Sequence, residues 1–447
     1  MRFGLLYELQ LPRPWLAMSE HRMFQDALAE VEIADRLGYD YLWANEHHFL
    51  EEYSHSSAPE VFLAACAART QNIHVGHAVV LSPPGYNPPA RVAERIATLD
   101  LISSGRVEWG TGQSASRAEL EGFGVDTGQK KAMWAEATEQ TANMLAMDPY
   151  PGFEGQFFSM PCRNVVPKPY QKPHPPIWVA CSSRETIHAA ARAGIGALAF
   201  AFIDPAEAAH WASEYYAIIK SEECVPIGHT VNANIAMATG FSCHQNEAEA
   251  KARGLEAFQF FGYALGHYYA YGQHRPGVTD VWERFQKARA ALPDVAQGNG
   301  IGTPAQLIER MGQYQDAGMD QVIFIQQAGR NKHEHILDSL KLFAEEVMPH
   351  FKKDQAERDA RKAAELAPYI AQAMARKQWM APIARDAVPV IAAYGRSVVA
   401  SDELQPKDKY NRGPGAGFEV PTEDLAETAK AVPTEDLAET VEAASND

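Results

Sequence analysis

Residues 73–111 read IHVGHAVVLSPPGYNPPARVAERIATLDLISSGRVEWGT, and this stretch decides the fold class. Residues 73–81 form a short apolar run rich in β-branched residues, which is typical of a strand buried on both faces. Residues 90–102 have helical periodicity, Gly105 follows the helix, and residues 106–111 read as another strand. Strand, helix and strand in this order predict a parallel βαβ unit.

The same alternation extends over the first 350 residues. We predict strands at residues 2–7, 39–44, 73–81, 106–111, 176–180, 197–202, 230–239 and 321–326. We predict helices at residues 21–37, 58–69, 90–102, 133–147, 185–193, 205–219, 303–317 and 334–347. This pattern predicts an α/β fold, a (β/α)8 TIM barrel. An open doubly wound sheet is the alternative, but no GxGxxG motif follows the first strand.

Two insertions and a C-terminal extension complete the predicted organisation. Within the barrel domain, residues 1–350, we place insertions at about 149–176 and 257–302, the second of them rich in aromatic residues. A helical extension is expected over residues 351–401, followed by an acidic, disordered tail over residues 402–447. The nonamer VPTEDLAET occurs twice in this tail, at 420–428 and 432–440. Two copies are too few for a solenoid, and a peptide that docks on a partner is the alternative to disorder.

Composition excludes several classes of protein. The net charge of −17 removes any general attraction to nucleic acid or anionic lipid. No apolar run is long enough to span a membrane, and the first residues do not resemble a signal peptide. The five cysteines are widely spaced and include no CxxC pair, which argues against disulfides or a zinc site. We therefore expect a cytoplasmic enzyme.

The segment Glu46-His47-His48-Phe49 directly follows the second predicted strand. Active sites of TIM barrels lie at the C-terminal ends of the strands, and histidine exchanges protons near neutral pH. Adjacent residues of an extended strand point to opposite sides, so His47 and His48 do not easily chelate one ion. His77 is the next candidate for a second ligand, and a metal site is the weaker interpretation. We predict proton chemistry here and no metal.

Several motifs resemble the bacterial-luciferase-like flavin-dependent monooxygenases. They are RFG at 2–4, ADRLGYD at 34–40, WANEHHF at 43–49, ARVAER at 90–95, LDLISSGR at 99–106 and GFG at 122–124. The resemblance covers roughly residues 1–350, with all motifs in the family's order. It implies the barrel fold, an oxidoreductase activity, and reduced FMN as cofactor, or a deazaflavin coenzyme in one branch of the family. It also implies a homodimer.

The resemblance carries specific residues. His47 matches the family's active-site histidine, which handles protons beside the flavin. Ala78 and Val79 match the place where the family often has a non-proline cis peptide under the flavin ring; an ordinary strand with trans bonds is the alternative. Gly112 and Gln113 are expected beside the cofactor, but the luciferases have a reactive cysteine and a phosphate-binding arginine there. This departure puts a phosphate clamp in doubt at this loop, and Arg117 is the candidate to compensate.

Ser182, Ser183, Arg184 and Glu185 follow the fifth strand and open a helix. Free backbone N–H groups at a helix start, together with hydroxyls and a guanidinium, favour an anion. We therefore predict that these residues bind the flavin phosphate. The alternative is a simple helix cap by Ser182 or Ser183, and both roles are compatible.

The predicted function is a two-component flavin-dependent monooxygenase. Nothing in the sequence resembles a nicotinamide site, so reduced FMN is expected from a separate reductase, with dioxygen and a small hydrophobic organic substrate as the other reactants. The aromatic insertion is expected either to cover the flavin and form the substrate pocket, or to form a dimer face. The alternatives are a deazaflavin-coenzyme-dependent hydride-transfer oxidoreductase and a non-catalytic flavin-binding subunit.

Overall fold

Eight parallel strands close into a barrel in the computed structural model, which describes residues 1–294 and 299–391. The barrel strands are β1 (Arg2–Tyr7), β2 (Tyr41–Ala44), β3 (His74–Leu81), β4 (Val107–Gly112), β7 (Ile177–Cys181), β8 (Gly196–Ala199), β9 (Ile235–Cys243) and β11 (Gln321–Gln327). Each strand pairs with its neighbours in parallel, and β8 pairs with β9 to close the ring. A short strand β10 (Gly300–Gly302) adds to the end of β9. The predicted (β/α)8 barrel is confirmed.

Helices alternate with the barrel strands. They are α1 (Ser19–Leu37), α2 (Pro59–Arg69), α3 (Pro89–Ile102), α4 (Arg117–Gly122), α5 (Lys130–Ala146), α6 (Arg184–Arg192), α7 (Pro205–Ile219), α8 (Glu247–Gly266), α9 (Val281–Ala288), α10 (Pro304–Asp316), α11 (His333–Glu346), α12 (Met348–Lys352) and α13 (Gln355–Arg376). A π-helix, His267–Tyr271, continues α8. Proline occupies the first turn of α2, α3, α7 and α10, where its missing N–H costs little.

Several segments differ from the prediction. The strand expected at residues 230–239 is Ile235–Cys243, because the apolar run continues past Thr239 while polar residues precede it. The insertion at 149–176 contains an antiparallel hairpin of β5 (Tyr150–Glu154) and β6 (Ser159–Arg163). The insertion at 257–302 begins inside α8, so its first aromatic residues lie on a helix of the barrel.

Two apolar layers surround the strands. Phe3 on β1 points outward and packs against Phe324 and, on the helices, against Phe343 and Phe351. Trp43 lies inside the barrel, with its ring 5.5 Å from that of Trp178 in an edge-to-face arrangement. Trp43 occupies the space that a side chain at Gly76 would need, since a Cβ there would lie 2.3 Å from the indole. Glycine is therefore required at this close approach.

The barrel base, where the strands begin, is closed by α13. Lys362 on this helix donates to Asp320 at 2.6 Å and to Asn234 at 2.7 Å. Arg2 on β1 pairs with Asp359 at 2.6 Å. The compact unit accordingly runs from Met1 to Pro382 and includes α13.

The remaining residues form a second unit, Ile383–Asp447, whose described part contains a short helical turn at Arg385–Ala387. The predicted acidic tail at 402–447 and its repeated nonamer lie outside the described residues. All five cysteines are buried and free of disulfides. Among the described helices, none is long and apolar enough to cross a membrane.

Candidate active site

The barrel mouth, where the strands end, gathers polar residues in sharply turning loops. Asn45, Glu46 and His47 follow β2 directly, and the His47 N–H donates to the carbonyl of Ser56 at 2.9 Å. Phe49, two residues further along this loop, has a φ of 65°, in the left-handed region that is costly for non-glycine residues. Such strain is typical of sites where the surrounding structure fixes functional side chains.

His47 is held between two carboxylates. Its Nδ1 lies 3.1 Å from Oε1 of Glu119, and its Nε2 lies 3.7 Å from Oε2 of Glu8. The imidazole side chain is 11% exposed, and both carboxylates are fully buried. Glu8 follows β1 and Glu119 lies on α4 after β4, so three strand ends of the barrel converge on one imidazole.

Further hydrogen bonds fix both carboxylates. Glu8 accepts from the hydroxyl of Tyr53 at 3.1 Å and from the side-chain amide of Asn45. Glu119 accepts from the backbone N–H of His48 at 2.9 Å and from the hydroxyl of Ser114 at 2.6 Å. The imidazole therefore faces acceptors whose positions are set by three different loops.

The electrostatics of this cluster favour a protonated imidazole. Burial opposes the charge, but attraction to Glu119 and Glu8 and the hydrogen bond with Glu119 raise the pKa of His47 to about 9. Burial also opposes ionisation of Glu119, yet the His47 charge and three hydrogen bonds lower its pKa. For Glu8, burial outweighs the His47 charge and its hydrogen bonds, so its pKa is raised.

His48 points away from this cluster. Its Nε2 lies 3.1 Å from Oε1 of Glu46, which also accepts from the side-chain amide of Asn87 at 2.9 Å. Oε2 of Glu46 accepts from the N–H of Leu81 at 2.7 Å, which ties the end of β2 to the end of β3. Glu46 therefore has a structural role. His47 is the histidine of this pair that faces Glu8 and Glu119, which together we call the carboxylate clamp.

An aromatic cover lies over the mouth, formed by α8, the π-helix and α9. The hydroxyl of Tyr269, on the π-helix, lies 3.4 Å from Nδ1 of His47. Phe261 packs on Tyr53 at 5.5 Å between ring centroids, and Phe260 packs on Trp282 at 4.8 Å. The predicted aromatic insertion thus reaches the strand ends and covers His47.

Two neighbouring glutamates fasten this cover. Glu52 is fully buried and accepts from the N–H groups of Val281 and Trp282 at the start of α9, at 2.5 and 3.1 Å. Glu51 accepts from the N–H of Gly277 at 2.7 Å and pairs with Arg13 at 2.7 Å. The loops after β1 and β2 therefore hold the cover in place.

The structure brings the predicted residues Ala78, Val79 and Gly112 together. A Cβ on Gly112 would lie 2.7 Å from the side chain of Val79, so the end of β4 packs closely on β3. The β3–β4 pairing shifts register between His77 and Val80. The peptide bonds that are cis in the described residues all precede proline, so the bond between Ala78 and Val79 is trans, as in an ordinary strand.

The residues at these strand ends fit a planar, hydrogen-bonding ring system. The side-chain oxygens of Asn45 and Gln113 are buried and, within the described residues, have no hydrogen-bond partner. Buried acceptors of this kind need a donor, which a flavin ring edge supplies. The small residues Ala78 and Gly112 allow the ends of β3 and β4 to pack closely beside these acceptors. The mouth therefore suits the cofactor that the resemblance implies.

The predicted phosphate residues form a capped helix start. Ser183 is the N-cap of α6 and forms a capping box with Thr186. Arg184 pairs with Glu207 and Glu214, and Glu185 pairs with Lys131 at 2.9 Å. The N-cap interpretation is thus present in the structure, and phosphate binding by Ser182, Ser183, Arg184 and Glu185 stays a prediction.

Neither of the other predicted charged groups joins the His47 cluster. Arg117 is exposed and pairs with Glu121 on its own helix. His77 is buried beside Glu60, and burial lowers its pKa to about 4. In residues 1–294 and 299–391, no group of three His, Cys, Asp or Glu side chains is arranged to hold a metal ion.

Sequence reasoning missed Glu8, Glu119 and Tyr269. Glu8 follows β1 directly, as Glu46 follows β2, so its position at a strand end was an available signal. Glu119 lies in a six-residue helix with no distinctive pattern. The contact of Tyr269 with His47 depends on the π-helical turn, and no sequence motif predicts that turn.

Some curated relatives align with part of this chain, and others align with most of it. Two uncharacterized proteins of Sinorhizobium fredii are 33% and 30% identical, and the alignment spans 49% of each of them and 39% of this chain. The oxygenase component of the flavin-dependent trigonelline monooxygenase of Acinetobacter baylyi is 25% identical over 80% of this chain and 98% of the relative. The alkanal monooxygenase alpha chain of Photobacterium leiognathi is 27% identical over 72% of this chain and 92% of the relative.

Solved structures share the fold. A monooxygenase from Streptomyces bottropensis superposes with a TM-score of 0.65 and 26% identity, over 78% of this chain and 100% of that one. The oxygenating constituent of the Pseudomonas putida 3,6-diketocamphane monooxygenase, in complex with FMN, has a TM-score of 0.60, 20% identity, and coverage of 78% and 98%. An F420-dependent secondary alcohol dehydrogenase has a TM-score of 0.61, 17% identity, and coverage of 79% and 99%. The last two likenesses concern the fold alone.

The family comparison agrees with the motifs and with the geometry of the mouth. Residues 1–321 match the family model described as luciferase-like monooxygenase. This range contains the His47 clamp, the β3–β4 contact and the aromatic cover. The chain therefore belongs to the luciferase-like monooxygenases.

Proposed function

We propose that this protein is the oxygenase component of a two-component flavin-dependent monooxygenase. It uses reduced FMN, supplied by a separate reductase, and dioxygen to oxygenate a small hydrophobic organic substrate. The observation that carries the proposal is the buried His47, clamped by Glu8 and Glu119 at the barrel mouth beneath an aromatic cover. A charged, shielded proton carrier of this kind suits a reaction that must exclude bulk water.

Family membership supports a flavin, and the relatives support the two-component arrangement. The trigonelline relative is named an oxygenase component, which is consistent with a separate reductase. The diketocamphane enzyme has this fold in complex with FMN. The fold also serves an F420-dependent dehydrogenase, so hydride transfer with a deazaflavin is the second candidate.

Named residues would hold the cofactor. Ala78, Val79, Gly112 and Gln113 would contact the ring, since they meet at the ends of β3 and β4. The start of α6, at Ser182, Ser183, Arg184 and Glu185, would bind the phosphate through the N–H groups of its first turn. When bound, the reduced flavin supplies the electrons that activate dioxygen.

The protein's own contribution is to hold a proton and to exclude water. At neutral pH, His47 carries a proton that Glu8 and Glu119 stabilise. Glu119 orients the ring through Nδ1, which leaves Nε2 on the side of Glu8. The aromatic residues of the cover, including Phe261 and Tyr269, provide an apolar ceiling, which favours hydrophobic substrates.

The first experiment is anaerobic mixing of the purified protein with reduced FMN, followed by oxygenated buffer. The absorbance of the flavin is followed as it returns to the oxidised state. We expect reoxidation slower than that of free reduced FMN by orders of magnitude, and faster when a substrate is present. Reoxidation at the rate of free FMN would contradict the proposal.

Two further measurements separate the alternatives. Titration with the deazaflavin coenzyme tests the hydride-transfer candidate, which does not require oxygen. A His47→Ala protein that behaves like the wild type in every assay would favour a non-catalytic flavin-binding subunit. A homodimer is also proposed, and its mass is measured by light scattering.

A further inference from the structure

We propose that a second ligand site lies between α1 and α11, and that it binds a small neutral carboxamide. The site is a cavity of about 230 Å³, roughly the volume of eight water molecules in the liquid. The loops after β1 and β11 line it together with the two helices. The proposal goes beyond the flavin chemistry proposed above and does not depend on it.

The cavity lies on the other face of the β1 chain from His47. Tyr7 and Glu8 are adjacent at the end of β1, so their side chains point to opposite sides. Glu8 faces His47 at the mouth, whereas the hydroxyl of Tyr7 donates to Oε2 of Glu30, on α1, at 3.0 Å. Glu30 lines the cavity. A ligand bound there would therefore lie outside the barrel wall, away from the predicted flavin.

Two side-chain amides that line the cavity each have an unused polar atom. Oε1 of Gln10 accepts from the backbone N–H of Gly329 at 2.6 Å, and Nδ2 of Asn331 donates to the backbone carbonyl of Gln326 at 3.0 Å. These backbone partners fix which atom of each amide is oxygen and which is nitrogen. Nε2 of Gln10, a residue that is 1% exposed, and Oδ1 of Asn331 are buried and have no hydrogen-bond partner among the described residues. The cavity thus offers a spare donor and a spare acceptor.

The charged groups of the lining largely offset one another. Nδ1 of His333 lies 2.9 Å from Oε1 of the buried Glu30. This hydrogen bond raises the pKa of His333, and burial raises that of Glu30, so the pair keeps one proton near neutral pH and has no net charge. Arg22 and Asp26 lie one turn apart on α1 and have opposite charges. The guanidinium of Arg330 lies over an indole ring of the aromatic cover, at 4.3 Å. The lining therefore favours a neutral ligand over an ion.

A primary carboxamide matches this lining. Its carbonyl oxygen accepts and its nitrogen donates, so it can satisfy both Gln10 and Asn331 while it stays uncharged. A buried polar group without a partner costs free energy, which a ligand of this kind recovers on binding. The side chains of Leu11, Met23 and Ile336 also line the cavity and would contact an apolar or aromatic substituent.

The test uses benzamide, benzoate and benzylamine as probes, with the full chain and without flavin. The three probes share a ring and differ in the polar group. We expect a Kd for benzamide on the order of 1 mM, measured by ligand-observed NMR titration. Benzoate lacks a donor for Asn331 and benzylamine lacks an acceptor for Gln10, so each should bind about tenfold more weakly or worse.

Two substitutions of Gln10 remove the spare donor in different ways. Q10M is uncharged and of similar size, whereas Q10E keeps an acceptor for the N–H of Gly329. Both should weaken benzamide binding by about tenfold or more. The matched controls Q25M and Q25E make the same changes at an exposed position of α1 and should leave it unchanged. Thermal unfolding shows which variants are folded.

Three results would overturn the inference. One is unchanged benzamide affinity in the folded Gln10 variants. Another is binding of benzoate or benzylamine as tight as that of benzamide, or no benzamide binding up to about 10 mM. The third is loss of benzamide binding in H47Q, which would place the probe in the mouth. Because flavin is absent throughout, these outcomes are independent of the reoxidation experiment that tests the proposed function.

Discussion

At both the base and the mouth of the barrel, cationic side chains offset the charge of carboxylates, but the cations differ between the two ends. At the base, half-buried carboxylates pair with lysine and arginine: Lys362 pairs with Asp320, and Arg2 pairs with Asp359, each at 2.6 Å. Lysine and arginine remain charged throughout the physiological pH range. These two ion pairs, unlike the His47 cluster, therefore contain no group whose ordinary pKa lies near neutral pH.

At the mouth, the carboxylates meet an imidazole. His47 lies between Glu8 and Glu119, and a lysine in its place would neutralise these carboxylates permanently. Its charge can be lost within an accessible pH range, so the same clamp can hold a proton and release it. The two ends of the barrel therefore differ in the kind of cation rather than in the number of carboxylates. Lysine and arginine stabilise the base, whereas a titratable histidine makes the mouth suitable for proton transfer.

Replacing His47 should have the largest effect. We expect H47Q to reduce substrate oxygenation by about 10²–10⁴-fold, because the proton carrier is lost while the fold is kept. FMN binding should change little. The measurement is turnover with reduced FMN and a substrate found by screening. An H47Q enzyme as fast as the wild type would place the chemistry elsewhere in the mouth.

Replacing Lys362 should act on stability alone. We expect K362M to lower the free energy of unfolding by roughly 2–3 kcal/mol, because Asp320 keeps its charge in a half-buried place without its partner. The matched control is K220M, which removes a surface ion pair to Glu365 on the same helix, α13, and should cost about 0.5 kcal/mol or less. Denaturant unfolding gives both values. A loss of turnover in folded K362M would contradict the division between the two ends.

The pH dependence of the free energy of unfolding should reveal the titratable His47 at the mouth. The pKa of His47 is raised from about 6.5 to about 9, so its contribution is complete below pH 6.5 and is lost as the pH rises towards 9. We expect the wild type to lose more stability than H47Q over this interval. Thermal unfolding of both proteins at each end of the interval measures the difference. Equal losses of stability in the two proteins would mean that Glu8 and Glu119 do not raise the pKa of His47.

The smallest effect separates a helix cap from a phosphate site. S183A and T303A each remove the side-chain cap of a capping box, on α6 and α10, and should each cost about 1 kcal/mol of stability. If the start of α6 also binds phosphate, S183A alone should weaken FMN binding. Equal FMN affinities in the two variants would leave Ser183 as a cap only. Fluorescence titration of FMN measures the affinities.

The barrel was predictable because its signals are local. Apolar runs such as residues 73–81, and glycines such as Gly38 and Gly105 after helices, mark each element independently of the rest of the chain. Both glycines have the left-handed φ values, 83° and 84°, that end a helix. His47 was predictable because a strand end and a family motif coincide there.

Glu119 and Tyr269 could not be predicted as site residues, because their positions depend on contacts between distant segments. His47 and Glu119 are 72 residues apart, and His47 and Tyr269 are 222 residues apart. In the sequence, Glu119 resembles an ordinary surface residue of a short helix, yet it is fully buried. The seventh barrel strand, β9, begins later than predicted because Thr230 and Val231 have high strand propensity, although the polar Asn232 and Asn234 separate them from the strand that forms.

The burial of every cysteine makes the molecule suitable for selective labelling. The five native thiols are buried, and burial raises the pKa of Cys181 to about 12, which keeps that thiol unreactive towards maleimides near neutral pH. Tyr271, on the aromatic cover, is 59% exposed. A single cysteine introduced in place of Tyr271 could carry a fluorophore without removal of any native cysteine. Its emission would report in real time whether the cover lifts when reduced FMN is added.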